Sequence, residues 1–280
     1  MIAMNKSEAY KNLVKEAQDS YRIDDNKRCG KISLLPPDIT IFADGDMLTE
    51  RNPGICFCRE INLYTYWQGF GYAEHTPKIK YLLVRQDWGN PFNVEAPFFK
   101  RILSMNDGDK DPRYLSGGDD PDAFKTDKNL IELFRVLGYG KNGEPDISEK
   151  RYPELFFTNF CLGYRSGKDS GGMTVKQMML DATFFLRLCS ILQPENILCL
   201  GKNTFECVYR AIQGEDIKMS DGFSKSYNDF LDNHDPIKVQ YAVEGEVCFS
   251  RIFPLAHCGA LGTANRSLEK QKKDWEKILE

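Results

Sequence analysis

"KYLLVRQDWGNP", residues 80–91, is the stretch on which the reading of the fold turns. A run of strand-forming apolar residues stops at Gln86 and Asp87, and Trp88, Gly89, Asn90 and Pro91 then break the chain. A short apolar run bounded by turn residues reads as a strand covered on both faces, as in a parallel sheet. The acid at its tip is either a turn residue, which "DWGNP" favours by composition, or a reagent held on a rigid mount.

Strand and helix signals alternate outward from there. "DKNLIELFRVLGYG" (127–140) places Leu130, Leu133, Phe134 and Leu137 at helical spacing, and Gly138 ends the helix. "ELFFTNF" (154–160) is a second strand. "GGMTVKQMMLDATFFLRLCSILQP" (171–194) opens with a capping box, Thr174 with Gln177, carries Met178, Ala182, Phe185 and Cys189 on one face, and closes at Pro194. "NILCLG" (196–201) is a wholly apolar strand, after which Asn203 with Glu206 starts a helix that Gly214 stops. A loop-rich region covers 215–235, and "EVCFSRIFPL" (246–255) supplies the last strand. A helix from about Ser267 to Glu280 follows, with Leu268, Trp275, Ile278 and Leu279 as its buried side.

Apolar strands separated by crossover-length helices imply an α/β fold: three layers, α/β/α, around a mostly parallel central sheet. No internal repeat or low-complexity linker divides the chain. One domain is expected over 1–280, with residues 1–75 as an N-terminal extension packed on the core 76–280. The extension opens on an amphipathic helix, "MIAMNKSEAYKNLVKEAQ", not on the continuous apolar segment of a secretory signal.

Composition excludes several classes. With 41% hydrophobic and 28% charged residues the chain is neither a disordered tail nor a fibre. No apolar run approaches the roughly 20 residues that span a bilayer, so no membrane partner and a cytoplasmic address are expected. A net charge of −4 gives no global footprint for nucleic acid, so any such binding needs a local basic patch; Lys100-Arg101, Arg165-Lys168 and Lys270-Lys273 are the clusters. Nine cysteines, several in apolar segments, fit reduced core thiols better than a disulfide framework. Cys56-Phe57-Cys58, the closest pair, is poorly spaced for zinc and reads as alternating strand residues. Neither metal nor organic cofactor is expected.

In parallel sheets, ligands collect beyond the carboxyl ends of the strands. Asp87, Asn159 and His257 each sit at or just past such an end. Taken singly, Asp87 is a turn residue, Asn159 satisfies strand-end backbone groups and His257 is an ordinary loop histidine.

Their order says more. "LLVRQDWG", "FFTNFCLGYR", "ILCLGKNTFECV" and "IFPLAHCGALGTANR", taken together over roughly residues 78–270, resemble the uracil-DNA glycosylase superfamily. The resemblance implies that fold and hydrolysis of the N-glycosidic bond of uracil, or a related damaged base, in DNA. It implies Asp87 as the catalytic carboxylate with Gln86 before it, Asn159 as reader of the Watson–Crick edge, and His257 as the loop histidine. Leu261 matches the side chain that wedges into the duplex, and Phe98 or Phe99 the aromatic that stacks on the base, although paired Phe is also plain core material. Two departures stand out. Gly89 occupies the position of a Tyr that crowds out thymine's methyl, so either Trp88 takes over or the pocket accepts a larger base. The last loop lacks the rigidifying prolines and phosphate-gripping Ser; Gly259 and Gly262 would bring backbone N–H groups to a phosphate, with Thr263, Asn265 and Arg266 as further contacts. Against that, Asn265 or Ser267 simply caps the last helix. Two alternatives stay open: a non-catalytic nucleobase- or nucleic-acid-binding member of the fold, and an N-glycoside hydrolase of free nucleosides or nucleotides.

Overall fold

The computed structural model describes residues 5–23, 32–33, 40–41, 55–56, 77–86, 114–115, 125–140, 147–148, 152–162, 164–165, 174–214, 223 and 226–280. Its centre is a five-stranded sheet built from β1 (Tyr81–Arg85), β2 (Leu155–Asn159), β3 (Asn196–Leu200), β4 (Ile237–Val243) and β5 (Glu246–Leu255). The spatial order is β2-β1-β3-β5-β4. β1 runs parallel to β2 and β3, β5 parallel to β3, and β4 returns antiparallel along β5. The sheet is therefore mixed and mostly parallel.

Burial explains the sequence pattern. Every residue of β2 and β3, and all of β1 except Arg85, is buried, which demands side chains that suit both faces. On one face Leu82, Val84, Phe156, Ile197 and Cys199 join helices α1 (Lys6–Ile23), α4 (Ala182–Leu192) and α5 (Lys202–Gln213). On the other, Leu83, Leu155, Phe157, Leu198 and Leu200 pack on α2 (Lys125–Val136) and α8 (Leu268–Glu276). Three layers result. Three short helices, α3 (Val175–Met178), α6 (Tyr227–Asn233) and α7 (Ala260–Asn265), are also present.

Chain direction then places the site. From β1 the chain crosses through α2 to β2 at one edge; it returns past β1 through α3 and α4 to β3. Crossovers are right-handed, so reversing direction requires the helices to change faces, as α2 and α4 do. The order reverses beside β1. Its carboxyl end is thus the topological switch point, where ligands bind in such sheets.

Strands at 81–85, 155–159, 196–200 and 246–255 stand where the sequence puts them. The capping box is present, with Gln177 N–H donating to Thr174 Oγ1 at 3.3 Å and Thr174 N–H to Gln177 Oε1 at 3.1 Å. The helix it opens is interrupted by a 3₁₀ turn at Met179–Asp181 before α4 begins. The next helix starts at Lys202, not at Asn203, because Gly201 turns the chain with φ 97° straight out of β3. β4 and α6 answer no sequence expectation. Leu279, expected inside, is 59% exposed. The last turn, Lys277–Leu279, is a 3₁₀ helix of about three residues per turn, which keeps Ile278 under Trp275 and swings Leu279 outward. α1 is part of the core itself: Tyr10 is fully buried and meets Phe156 edge-on at 6.0 Å. Among the described residues no helix is long and apolar enough to cross a membrane, and the cysteines whose side chains are described are buried free thiols.

Candidate active site at the carboxyl edge of the sheet

Asn159 ends β2 directly beside Arg85 of β1. The ladder continues one step further: Phe160 N–H donates to Arg85 O at 2.8 Å and Cys161 N–H to Gln86 O at 3.0 Å. The backbone at Gln86 is thereby pinned to the strand next to it, which makes a rigid mount for whatever follows. Asp87, Phe98 and Phe99 lie outside the described residues.

The two-residue period of a strand puts Asn159 on the α2 face with Leu155 and Phe157. It is 3% exposed, and its side-chain amide makes no hydrogen bond with another described residue.

His257 follows β5 across the switch point. A Cβ on Gly201, at the end of β3, would lie 3.8 Å from the His257 Cβ, and Gly201 N–H donates to Leu255 O at 2.8 Å. β1 and β3 separate Asn159 from His257, three strand spacings of about 4.8 Å, or roughly 14 Å between backbones. The ends of β1 and β3, including Gln86, occupy the space between them.

The imidazole is closely held. Gly259 N–H donates to His257 Nδ1 at 3.0 Å, so the neutral ring carries its proton on Nε2. Gly259 has to be glycine: an added Cβ would sit 2.8 Å from His257 Cε1 and 3.1 Å from Thr126 Oγ1. Gly262 has to be glycine as well, since its Cβ would fall 1.6 Å from the His257 carbonyl oxygen. The motif "HCGALG" is therefore a seat for the histidine, built by folding α7 back on it.

This revises the phosphate-contact expectation. The Gly259 N–H is engaged by the imidazole. The Thr263 hydroxyl donates back into its own turn, to Gly259 O or Ala260 O, both at 3.1 Å. Arg266 is corrected outright. It is 3% exposed, and its guanidinium donates to both oxygens of Asp274 at 2.5 Å and to Asp232 Oδ1 at 2.8 Å. It ties α7 to α6 and α8 and has no surface to offer a phosphate. Ser267 does cap α8, accepting from Lys270 N–H at 3.3 Å. Lys270 pairs with Asp232 at 2.8 Å and Lys272 with Glu269 at 3.1 Å, so two of the three lysines of that basic cluster are already matched by carboxylates. Leu261 stands 71% exposed on α7, four positions after His257.

Sequence reasoning misses the wall formed by the start of α2. Asn129 Nδ2 donates to Cys258 O at 2.6 Å, and Cys258 Sγ to Thr126 O at 3.7 Å. The buried Asp127 belongs to the same wall. Burial pushes the Cys258 thiol up to about 12, against the pull of Arg85, so it stays a protonated, unreactive core thiol. The available signal was Asn129 itself, a polar residue one turn before Leu133 on the buried stripe. Among the described residues no cluster of His, Cys, Asp and Glu could hold a metal ion. No family model and no curated protein matches the chain.

Proposed function

We propose that the chain adopts the uracil-DNA glycosylase fold and hydrolyses the N-glycosidic bond of uracil, or of a related damaged base, in DNA. The observation that carries this is Asn159, a buried amide without a partner among the described residues, at the edge of the sheet's switch point. A nucleobase edge matches its donor and its acceptor.

The chemistry asks for these residue types. Cleaving the bond leaves positive charge on the sugar and negative charge on the departing base. Asp87, the residue after the pinned Gln86, is the carboxylate that stabilises the sugar cation and positions a water, at roughly 3 Å in a working geometry. The Asn159 amide offers a donor and an acceptor together, matching uracil O4 and N3–H; cytosine leaves a polar group unpaired. His257, with its proton on Nε2, donates to uracil O2, and that bond strengthens as negative charge develops. Extruding the base costs a few kcal/mol, which the exposed Leu261 offsets by filling the vacated stack. Phe98 or Phe99 provides the stacking platform.

The test is base release from uracil-, hypoxanthine- and mismatch-containing oligonucleotides, single- and double-stranded, read as alkali-labile abasic sites. Release that is lost in Asp87→Ala, Asn159→Ala and His257→Ala supports the reading. Intact substrates at large enzyme excess contradict it. The withdrawal of Arg266 and the Gly259 N–H from phosphate contact favours a second reading, hydrolysis of free nucleosides. Faster turnover of deoxyuridine than of an oligonucleotide would select it.

A further inference from the structure

The loop that carries His257 contains no proline, yet three separate anchors hold it. Asn129 Nδ2 reaches Cys258 O at 2.6 Å, Cys258 Sγ reaches Thr126 O at 3.7 Å, and Gly262 lies against the His257 carbonyl. The first of these has a consequence for the imidazole. Cys258 C=O and Gly259 N–H belong to one peptide group, which is planar and trans, so its oxygen and its hydrogen point in opposite directions. Asn129 holds the oxygen side. The hydrogen side is the bond that Gly259 N–H donates to His257 Nδ1 at 3.0 Å.

We infer that Asn129 is a positioning residue that sets the tautomer and orientation of His257 through the Cys258–Gly259 peptide plane. The inference rests on the role given to His257 above. It extends that role to a residue more than a hundred positions away in sequence, on another element of the fold. A buried amide on the apolar face of α2 is costly unless bonded, and the Cys258 carbonyl is the acceptor that meets it. With the plane fixed, Nδ1 always faces an N–H and the ring proton stays on Nε2, the form able to donate to an accumulating base anion. With the plane free to rotate, both tautomers populate and the donor is lost part of the time.

The experiment uses the full chain labelled with ¹⁵N-histidine. It has three histidines, and His257→Gln assigns the resonance of interest. The wild-type ring is expected to show a protonated Nε2 and an unprotonated, hydrogen-bonded Nδ1. In Asn129→Leu, which matches the shape and suits the apolar surroundings, the two nitrogen shifts should converge towards the average of a free histidine. Uracil release should fall about tenfold to a hundredfold in kcat with KM little changed, as for a misoriented catalytic group. Asn129→Gln, which keeps an amide donor, should recover part of both. A wild-type ring protonated on Nδ1, or an Asn129→Leu ring with unchanged shifts, overturns the inference; neither needs any activity to be read. Converging shifts in a protein that releases no base leave the positioning role standing and remove the glycosylase reading instead. Unchanged shifts and unchanged kcat in an active enzyme do the reverse.

Discussion

Two buried asparagines stand at opposite edges of the same sheet. At the amino edge Asn196, 2% exposed, is satisfied on both sides: Nδ2 donates to Lys80 O at 3.1 Å and Oδ1 accepts from Arg251 Nε at 2.9 Å. At the carboxyl edge Asn159 is equally buried, and its amide has no partner among the described residues. The first laces β1, β3 and β5 together where the strands begin. The second presents a donor and an acceptor where they end, with no partner among the described residues. A polar group whose hydrogen bonding is complete within the fold is structural, and one that stands at the carboxyl edge of the sheet with bonding capacity to spare is available to a ligand.

Pairing, rather than the edge on which a residue sits, should decide which substitutions unfold the protein and which silence it. Arg266, on the carboxyl side but fully paired, gives the sharpest version. Arg266→Ala leaves Asp274 buried without its cation and should cost about 3–5 kcal/mol in urea unfolding. Asn159→Ala comes next. It should lower base release by about a hundredfold to a thousandfold, the loss typical of one transition-state hydrogen bond, while the unfolding midpoint stays within error. A drop in stability as large as that of Arg266→Ala would make Asn159 a structural residue. Asn196→Ala, its counterpart, should lose roughly 1–3 kcal/mol of stability with an unchanged single-turnover rate.

The smallest effect belongs to His234, a histidine on neither edge of the comparison. Its ring stacks on Phe230 at 4.2 Å, and burial holds its pKa below the ordinary 6.5, opposed by Asp235 and reinforced by Lys277. The native state therefore keeps it neutral while the unfolded chain takes up a proton. The associated stability is complete above about pH 6.5 and is lost as pH falls below it. His234→Phe should flatten that acid-side decline in urea unfolding without altering base release; an unchanged slope would show that the ring is not held neutral.

The four main strands were legible because burial on both faces leaves the sequence no choice but an apolar run. β4 was not, since it alternates inside and outside along an antiparallel edge and its polar half reads as loop. α6 is too short and polar to show a period; Ser226 caps it, and Phe230 and Leu231 are its buried grip. At the site, position along the sheet was readable in part: Asn159 ends β2 and His257 follows the end of β5 by two residues, while Asp87 lies outside the described residues. Which polar groups are already engaged was not. Arg266 is withdrawn by Asp274 and Asp232, eight and thirty-four residues away, and no local pattern announces such partners. The same holds for Asn129, whose acceptor lies on another element.

The central claim is that the Asn159 amide reads a base. The most direct measurement follows the side-chain NH₂ resonances of Asn159 and Asn196 as the protein is saturated with an oligonucleotide carrying 2′-fluoro-deoxyuridine, whose electron-withdrawing fluorine opposes formation of the sugar cation and preserves the bound substrate. The Asn159 signals should shift and become protected from solvent exchange while those of Asn196 stay where they are. Saturated binding that leaves the Asn159 amide unmoved would contradict the claim.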